Sequence, residues 1–187
     1  MVNNYYDFGS KGYLSTLAVW PSIFIKAIQC NDWSNNGGRY VEEQLRFGEY
    51  SPNLLFPLDF VVKDGYKIRD ILEMRSLTFL ISDRLKLIFE AANLTGWKTY
   101  DVVIHQKDGS ILPGFNGFSV MGRNPSEKSD GYPEIPDFFR LRHDQSWIIC
   151  TQRVVDVLKV NKIKDFETTL LSNESYPDVY QQINFPK

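Results

Sequence analysis

The chain has 187 residues, enough for one domain with a sizeable core, and 43% of them are hydrophobic. Its 21 Lys and Arg against 23 Asp and Glu give a net charge of −2, which lacks the basic excess that general nucleic-acid binding requires. Two widely separated cysteines, Cys30 and Cys150, indicate neither a disulfide scaffold nor a cysteine metal site. Composition therefore favours a folded cytoplasmic protein that does not bind nucleic acid.

The first third of the chain, residues 1–57, is rich in aromatic and turn-forming residues. We expect it to form strands and turns that pack on a main domain over residues 58–187. No basic segment followed by an apolar run opens the chain, and Pro21 and Lys26 interrupt its most apolar stretch. The sequence therefore predicts neither a secretion signal nor a membrane span.

Two Lys-Asp-Gly sequences mark turns, because Asp-Gly accommodates a positive φ. The first, at 63–65, closes a strand predicted from residue 58. The second, at 107–109, separates two apolar runs and predicts a hairpin. The glycines that follow, between Gly114 and Gly122, fit a bent strand better than a phosphate-binding loop.

A helix is predicted to begin at Ser82, whose hydroxyl can cap free backbone N–H groups. Apolar residues then recur at helical spacing up to Ala92, and Asn93 ends the pattern. From Tyr100 to His105, apolar and polar residues alternate as in a half-buried strand. This part of the chain predicts a strand, a helix and a second strand.

The same layout returns downstream, where Thr151 is the predicted cap and lies 69 positions after Ser82. This shift needs no gap and places Arg153 on Arg84; we expect both arginines to have solvated heads or contacts with a neighbouring loop. The predicted fold is α+β, with one or more mixed sheets, few helices and two similar strand-helix-strand units near 80–102 and 149–171. Structural duplication and chance similarity both account for the pattern.

Catalytic motifs for nucleotide, zinc and hydrolase chemistry are missing from the sequence. With two histidines and no grouped carboxylates, the sequence predicts no metal and no cofactor. An enzyme would have to use Cys150 as a nucleophile with His143 as its base, or the carboxylates of Asp130 and Asp137. Because Cys150 ends an apolar run, we expect its thiol to be a buried packing group.

The helix opening Ser-Asp-Arg, the sequence LTGW before Tyr100, the second Lys-Asp-Gly turn and the strand up to Arg123 occur together in FLISDRLKLIFEAANLTGWKTYDVVIHQKDGSILPGFNGFSVMGR. This stretch resembles a bacterial family of immunity proteins from polymorphic toxin systems, and residues 54–171 fit the resemblance. Paired cysteine motifs expected in some relatives are absent, so no zinc site is carried over. The resemblance implies that the chain neutralises a cognate toxin protein by direct binding, which requires no catalytic residue.

The irregular segment at 123–142 is the predicted contact region, because long loops often carry recognition residues. Its polar and aromatic side chains are the candidate partner-binding residues: Arg123, Asp130, Tyr132, Asp137 and Arg140. Two other functions stay open at this point. One is a hydrolase-type enzyme with a site between the two similar units, and the other is a structural or oligomer-forming domain.

Overall fold

The structure is a computed structural model that describes residues 4–12, 15–22, 38–52, 54–73, 79–122, 136–140, 147–172 and 174. Over these residues the fold is α+β, as predicted, with three helices and eleven strands. The helices are α1 (Gly38–Phe47), α2 (Asp83–Ala91) and α3 (Gln152–Val160). The strands are β1 (Tyr5–Ser10), β2 (Ala18–Pro21), β3 (Leu58–Asp64), β4 (Ile71–Glu73), β5 (Phe79–Ser82), β6 (Trp97–His105), β7 (Ile111–Leu112), β8 (Phe115–Val120), β9 (Phe138–Phe139), β10 (Ile149–Thr151) and β11 (Phe166–Leu170).

Seven strands form a mixed sheet in the order β3-β2-β4-β5-β8-β6-β7. A parallel pairing of β3 with β6 also connects strands that stand far apart in this order, so the sheet curls back on itself. The predicted turn at 107–109 joins β6 to β7, where His105 pairs with Ile111. The hairpin prediction is therefore confirmed.

Four strands form a second sheet in the order β11-β1-β10-β9, and every pairing within it is antiparallel. The N-terminal strand β1 lies inside this sheet and pairs with β10 on one side and β11 on the other. Tyr5 of β1 belongs to a buried cluster with Phe139, Ile149 and Leu171. The position of β1 thus depends on residues more than one hundred positions further along the chain.

The chain divides into two compact lobes. Lobe 1 consists of 1–11, 88–97 and 120–187, and lobe 2 consists of 12–87 and 98–119. The boundary falls after Lys11 because β1 pairs with β10 and β11, whereas the next strand, β2, pairs with β3 and β4.

The two similar strand-helix-strand units are present, and the 69-residue shift matches their elements. Helices α2 and α3 have nine residues each and begin at equivalent positions. Each ends at a residue with positive φ, Asn93 at 50° and Lys162 at 56°. In each, the next amide donates to a carbonyl five residues back, from Leu94 to Phe89 and from Ile163 to Leu158. These are the bonds of a left-handed helix end.

The two helix starts differ in one respect. The Ser82 hydroxyl accepts a hydrogen bond from the Leu85 amide at 3.1 Å, so this predicted cap is confirmed. Thr151 makes no such side-chain bond, and the prediction that its hydroxyl caps α3 is wrong. Its hydroxyl donates to the carboxylate of Asp137 instead.

The core of lobe 2 packs large side chains from five strands and α1 against one another, including Phe60, Leu80 and Tyr100. The Tyr100 ring covers the backbone of Gly117 so closely that a Cβ there would lie 2.0 Å from the ring. Glycine at this position therefore serves close packing within a strand, in agreement with the bent-strand prediction.

Candidate functional site

The predicted contact segment is described only in part. Arg123, Asp130 and Tyr132 lie outside the described residues. Asp137 and Arg140 are buried, with 5% and 3% of their surfaces exposed. Side chains so enclosed present almost no area to a protein partner, so the structure does not support direct contact for these two.

The carboxylate of Asp137 joins three separate parts of lobe 1. One oxygen accepts hydrogen bonds from the Thr95 amide at 2.9 Å and from Nη1 of Arg153 at 3.0 Å. The other oxygen accepts the Thr151 hydroxyl at 3.0 Å, and the Asp137 carbonyl accepts the Thr151 amide. A buried carboxylate is stable only when it is bonded in this way. Asp137 therefore has an internal structural role.

The same arrangement occurs a second time, in lobe 2. The Ser82 hydroxyl donates to one oxygen of Asp70 at 2.6 Å, and Nη1 of Arg84 donates to the other at 2.7 Å. The Ser82 amide donates to the Asp70 carbonyl at 2.8 Å. We call each set of aspartate, hydroxyl and arginine an aspartate clamp.

Both clamps tie the residue before a strand to the start of a helix. Their hydroxyl and arginine residues are related by the 69-residue shift, whereas the aspartates precede the repeats, 12 residues before Ser82 and 14 before Thr151. Arg84 and Arg153 remain about half exposed while their aspartates are mostly buried. The predicted role of the two arginines, a solvated head with a contact to a neighbouring segment, is confirmed. Because the same three groups recur at the same place, their common role is to hold the repeat together.

The thiol of Cys150 is fully buried on β10, as predicted. Burial raises its pKa, and the negative charges of Asp7 and Asp137 raise it further. Since the thiolate is the nucleophile, this environment suppresses the reactive form. The proposed base, His143, lies outside the described residues.

Asp7 is the one carboxylate of the described chain with a large pKa shift, and it was not among the sequence candidates. Burial within the sheet raises its pKa to about 6, and the nearby Glu167 adds to the increase, while a backbone hydrogen bond at Phe8 opposes it. In the sequence, its position in an aromatic run before Phe8 was the sign that Asp7 could be buried. Alternation alone could not show that both neighbours of β1 enclose it.

An exposed segment of lobe 2, residues 66–68, carries a second feature that the sequence did not reveal. Tyr66 is 75% exposed and Ile68 is 57% exposed. The Lys67 ammonium lies 5.9 Å from the centre of the Tyr66 ring. Large exposed side chains that are near one another in the chain are candidate constituents of a protein contact surface. We call residues 66–68 the recognition segment.

The backbone of the recognition segment is held in place. The amides of Tyr66 and Lys67 both donate to the Ser15 carbonyl, and the Lys67 carbonyl accepts the Leu17 amide at 2.9 Å. Gly65 enters the segment with φ +76°, and a Cβ there would lie 2.0 Å from the Thr16 carbonyl oxygen. A backbone fixed in advance reduces the entropy that a bound partner would have to remove.

The described residues contain no group of three or more His, Cys, Asp or Glu side chains that could hold a metal ion. Within the same residues, no helix has the length and apolar composition to cross a membrane. No protein-family model matches the chain, and no curated protein matches it at a significant level.

Proposed function

We propose that the chain is a non-catalytic binding protein, an immunity protein that neutralises a cognate bacterial toxin by direct binding in the cytoplasm. The resemblance of residues 54–171 to immunity proteins supports this function. So does the distribution of chemical groups, since the Asp137 carboxylate and the Cys150 thiol are enclosed and serve the scaffold. Binding is then the task of surface side chains.

The recognition segment is the observation that carries the proposal. It combines a large aromatic and an aliphatic side chain, both mostly exposed, with a backbone fixed by hydrogen bonds to 15–17. Tyrosine is enriched among the residues that dominate binding energy. Tyr66 and Ile68 can enter an apolar pocket of the toxin, and Lys67 beside them favours carboxylates at the rim of that pocket.

Co-expression with the toxin encoded by the neighbouring gene tests the function. The chain is expected to restore growth and to co-elute with the purified toxin on size exclusion. A paired change, Tyr66→Ala with Ile68→Asp, is expected to weaken binding by about 100-fold, because two central contact residues are lost. Val160→Asp, at an aliphatic residue that is 80% exposed on α3, is the matched control and should leave binding unchanged.

The two parts of the proposal fail in different ways. If the unchanged chain neither protects cells nor binds the toxin, the immunity function is wrong. If it protects and the paired variant protects equally well, the function stands and the recognition segment is not the contact surface.

The alternative function, an enzyme with Cys150 as its nucleophile, predicts the opposite reactivity for this thiol. A catalytic thiol should react rapidly with iodoacetamide in the native protein, whereas a buried thiol with a raised pKa should react only after unfolding. Mass spectrometry of the labelled chain distinguishes the two outcomes. Rapid and selective labelling of native Cys150 would favour the enzyme.

A further inference from the structure

The two sheets contain the same run of four strands. The four-stranded sheet has the order β9-β10-β1-β11, and the seven-stranded sheet contains β4-β5-β8-β6. In both runs the helix follows the second strand, as α3 follows β10 and α2 follows β5. The N-terminal strand β1 thus holds the position in its sheet that β8 holds in the other.

Strand register and side-chain contacts support this equivalence. Tyr6 stands opposite Cys150, and Asn116 stands opposite Ile81, which is 69 positions before Cys150. Each then bonds to the first residue of the equivalent helix. The Asn116 amide donates to Asp83 at 2.6 Å, and the Tyr6 hydroxyl donates to Gln152.

Strands β8 and β1 are separated from their neighbouring strands by chain segments of very different length. Residues 106–114 alone separate β6 from β8, and they include the β7 hairpin. The contact between Tyr6 and Gln152, by contrast, joins residues 146 positions apart. Short connections place β8 beside its neighbours, whereas β1 must be recognised by the surfaces of β10 and β11.

That recognition depends on both backbone and side chains. Strand β1 pairs with β10 over three residues and with β11 over five. Phe8 is 3% exposed and meets Phe138 edge to face at 5.5 Å, and Tyr5 meets Phe139 at 5.6 Å. Main-chain pairing with pockets for particular side chains is the mode by which proteins bind an added strand.

We propose that the space between β10 and β11 is a strand-binding site that accepts β1 from a second copy of this chain as well as from its own. The bound strand forms the same hydrogen bonds and buries the same Tyr5 and Phe8 rings in either case. Exchange of identical elements between copies requires only that the resident strand leave and another enter.

Asp7 favours the leaving step near neutral pH. Asp7 lies within β1. The Glu167 carboxylate on β11 raises the pKa of Asp7, and the charge of Asp7 raises the pKa of the Cys150 thiol on β10. When Asp7 is ionised, the inserted strand carries a poorly hydrated charge beside a second carboxylate. Exchange should therefore be faster at neutral pH than in mild acid, and Asp7→Asn should slow it.

Directed disulfide formation between two full-length chains tests exchange. The donor chain carries Tyr6→Cys, Cys150→Ala and Cys30→Ser, and the acceptor carries only Cys30→Ser. The cysteine at position 6 can meet Cys150 only when a donor strand lies beside β10 of the acceptor. The control donor carries Lys11→Cys in place of Tyr6→Cys, because that position lies beyond the end of β1.

After the two chains are refolded together and oxidised, we expect more than about ten times as much interchain disulfide with the donor as with the control, because bond formation needs close sulfurs. Equal amounts from a folded donor would overturn the proposal. If the donor does not fold, a labelled peptide of residues 4–11 refolded with the unmodified chain decides the question. Retention of this peptide but not of a scrambled one supports the site, and loss of both overturns it.

Discussion

Asp7→Asn is a direct test of the energetics of β1, because asparagine resembles the protonated carboxyl group and cannot ionise. The pKa of Asp7 rises from 3.8 to about 6 on folding. Protonation therefore favours the folded state. The stability that comes from proton binding is fully present below pH 3.8 and is lost as pH rises through about 6.

The size of the effect follows from the shift. A pKa change of this size corresponds to about 3 kcal/mol before screening by solvent. Because Asp7 is only partly buried, we halve this figure and expect the asparagine variant to be more stable by ~1.5 kcal/mol at neutral pH. By the same relation, the stability advantage of the asparagine variant falls to about 0.5 kcal/mol near pH 4.5. At that pH the wild-type carboxyl is largely protonated in the folded chain.

Urea unfolding of both proteins, followed by tryptophan fluorescence at several pH values, measures the difference. The variant is expected to be more stable at neutral pH, and its advantage should shrink as the solution is acidified. Asp101→Asn replaces an exposed carboxylate on β6 and should change stability by less than about 0.5 kcal/mol at every pH. The reasoning is refuted if the Asp7 variant is no more stable than the unchanged chain, or if the difference in stability is the same at all pH values.

Three further substitutions test individual contacts by chemical unfolding. Asp137→Ala removes a buried carboxylate, takes away the acceptor of the Thr95 amide and the Thr151 hydroxyl, and should cost about 2–3 kcal/mol; a loss no larger than that of Asp70→Ala, in the more exposed clamp, would contradict this. Tyr100→Phe removes a buried hydroxyl with no hydrogen-bond partner among the described residues and should stabilise by about 1 kcal/mol. Gly117→Ala places a Cβ 2.0 Å from the Tyr100 ring and should cost at least ~2 kcal/mol, whereas Gly9→Ala meets nothing within 4 Å and should cost little.

The charged groups of the two aspartate clamps have a structural role. Asp137 with Arg153 could be mistaken for a catalytic or partner-binding pair if it were considered alone. The equivalent set of Asp70, Ser82 and Arg84 shows the same bonds at the same place in the other repeat. A group used twice by a repeated fold most simply serves the fold.

The candidate site was less accessible to sequence reasoning than the fold. Tyr66 and Ile68 follow a predicted turn, but their exposure depends on the segment at 15–17 that fixes the backbone. Asp137 and Arg140 belong to a loop-like sequence, and their burial depends on contacts with residues up to 42 positions away. Burial is a property of the assembled chain, so polarity alone could not show that these side chains are enclosed.

By itself, the sequence determined the two repeats: the start of each helix, the end of the first helix at Asn93, and the constant shift between them. These features depend on hydrogen bonds within a few residues, so short patterns specify them. Only the tertiary structure decided that β1 lies between β10 and β11 and that Asp7 is enclosed there. Strand partners separated by more than one hundred residues are chosen by packing of the whole lobe, which no local pattern contains.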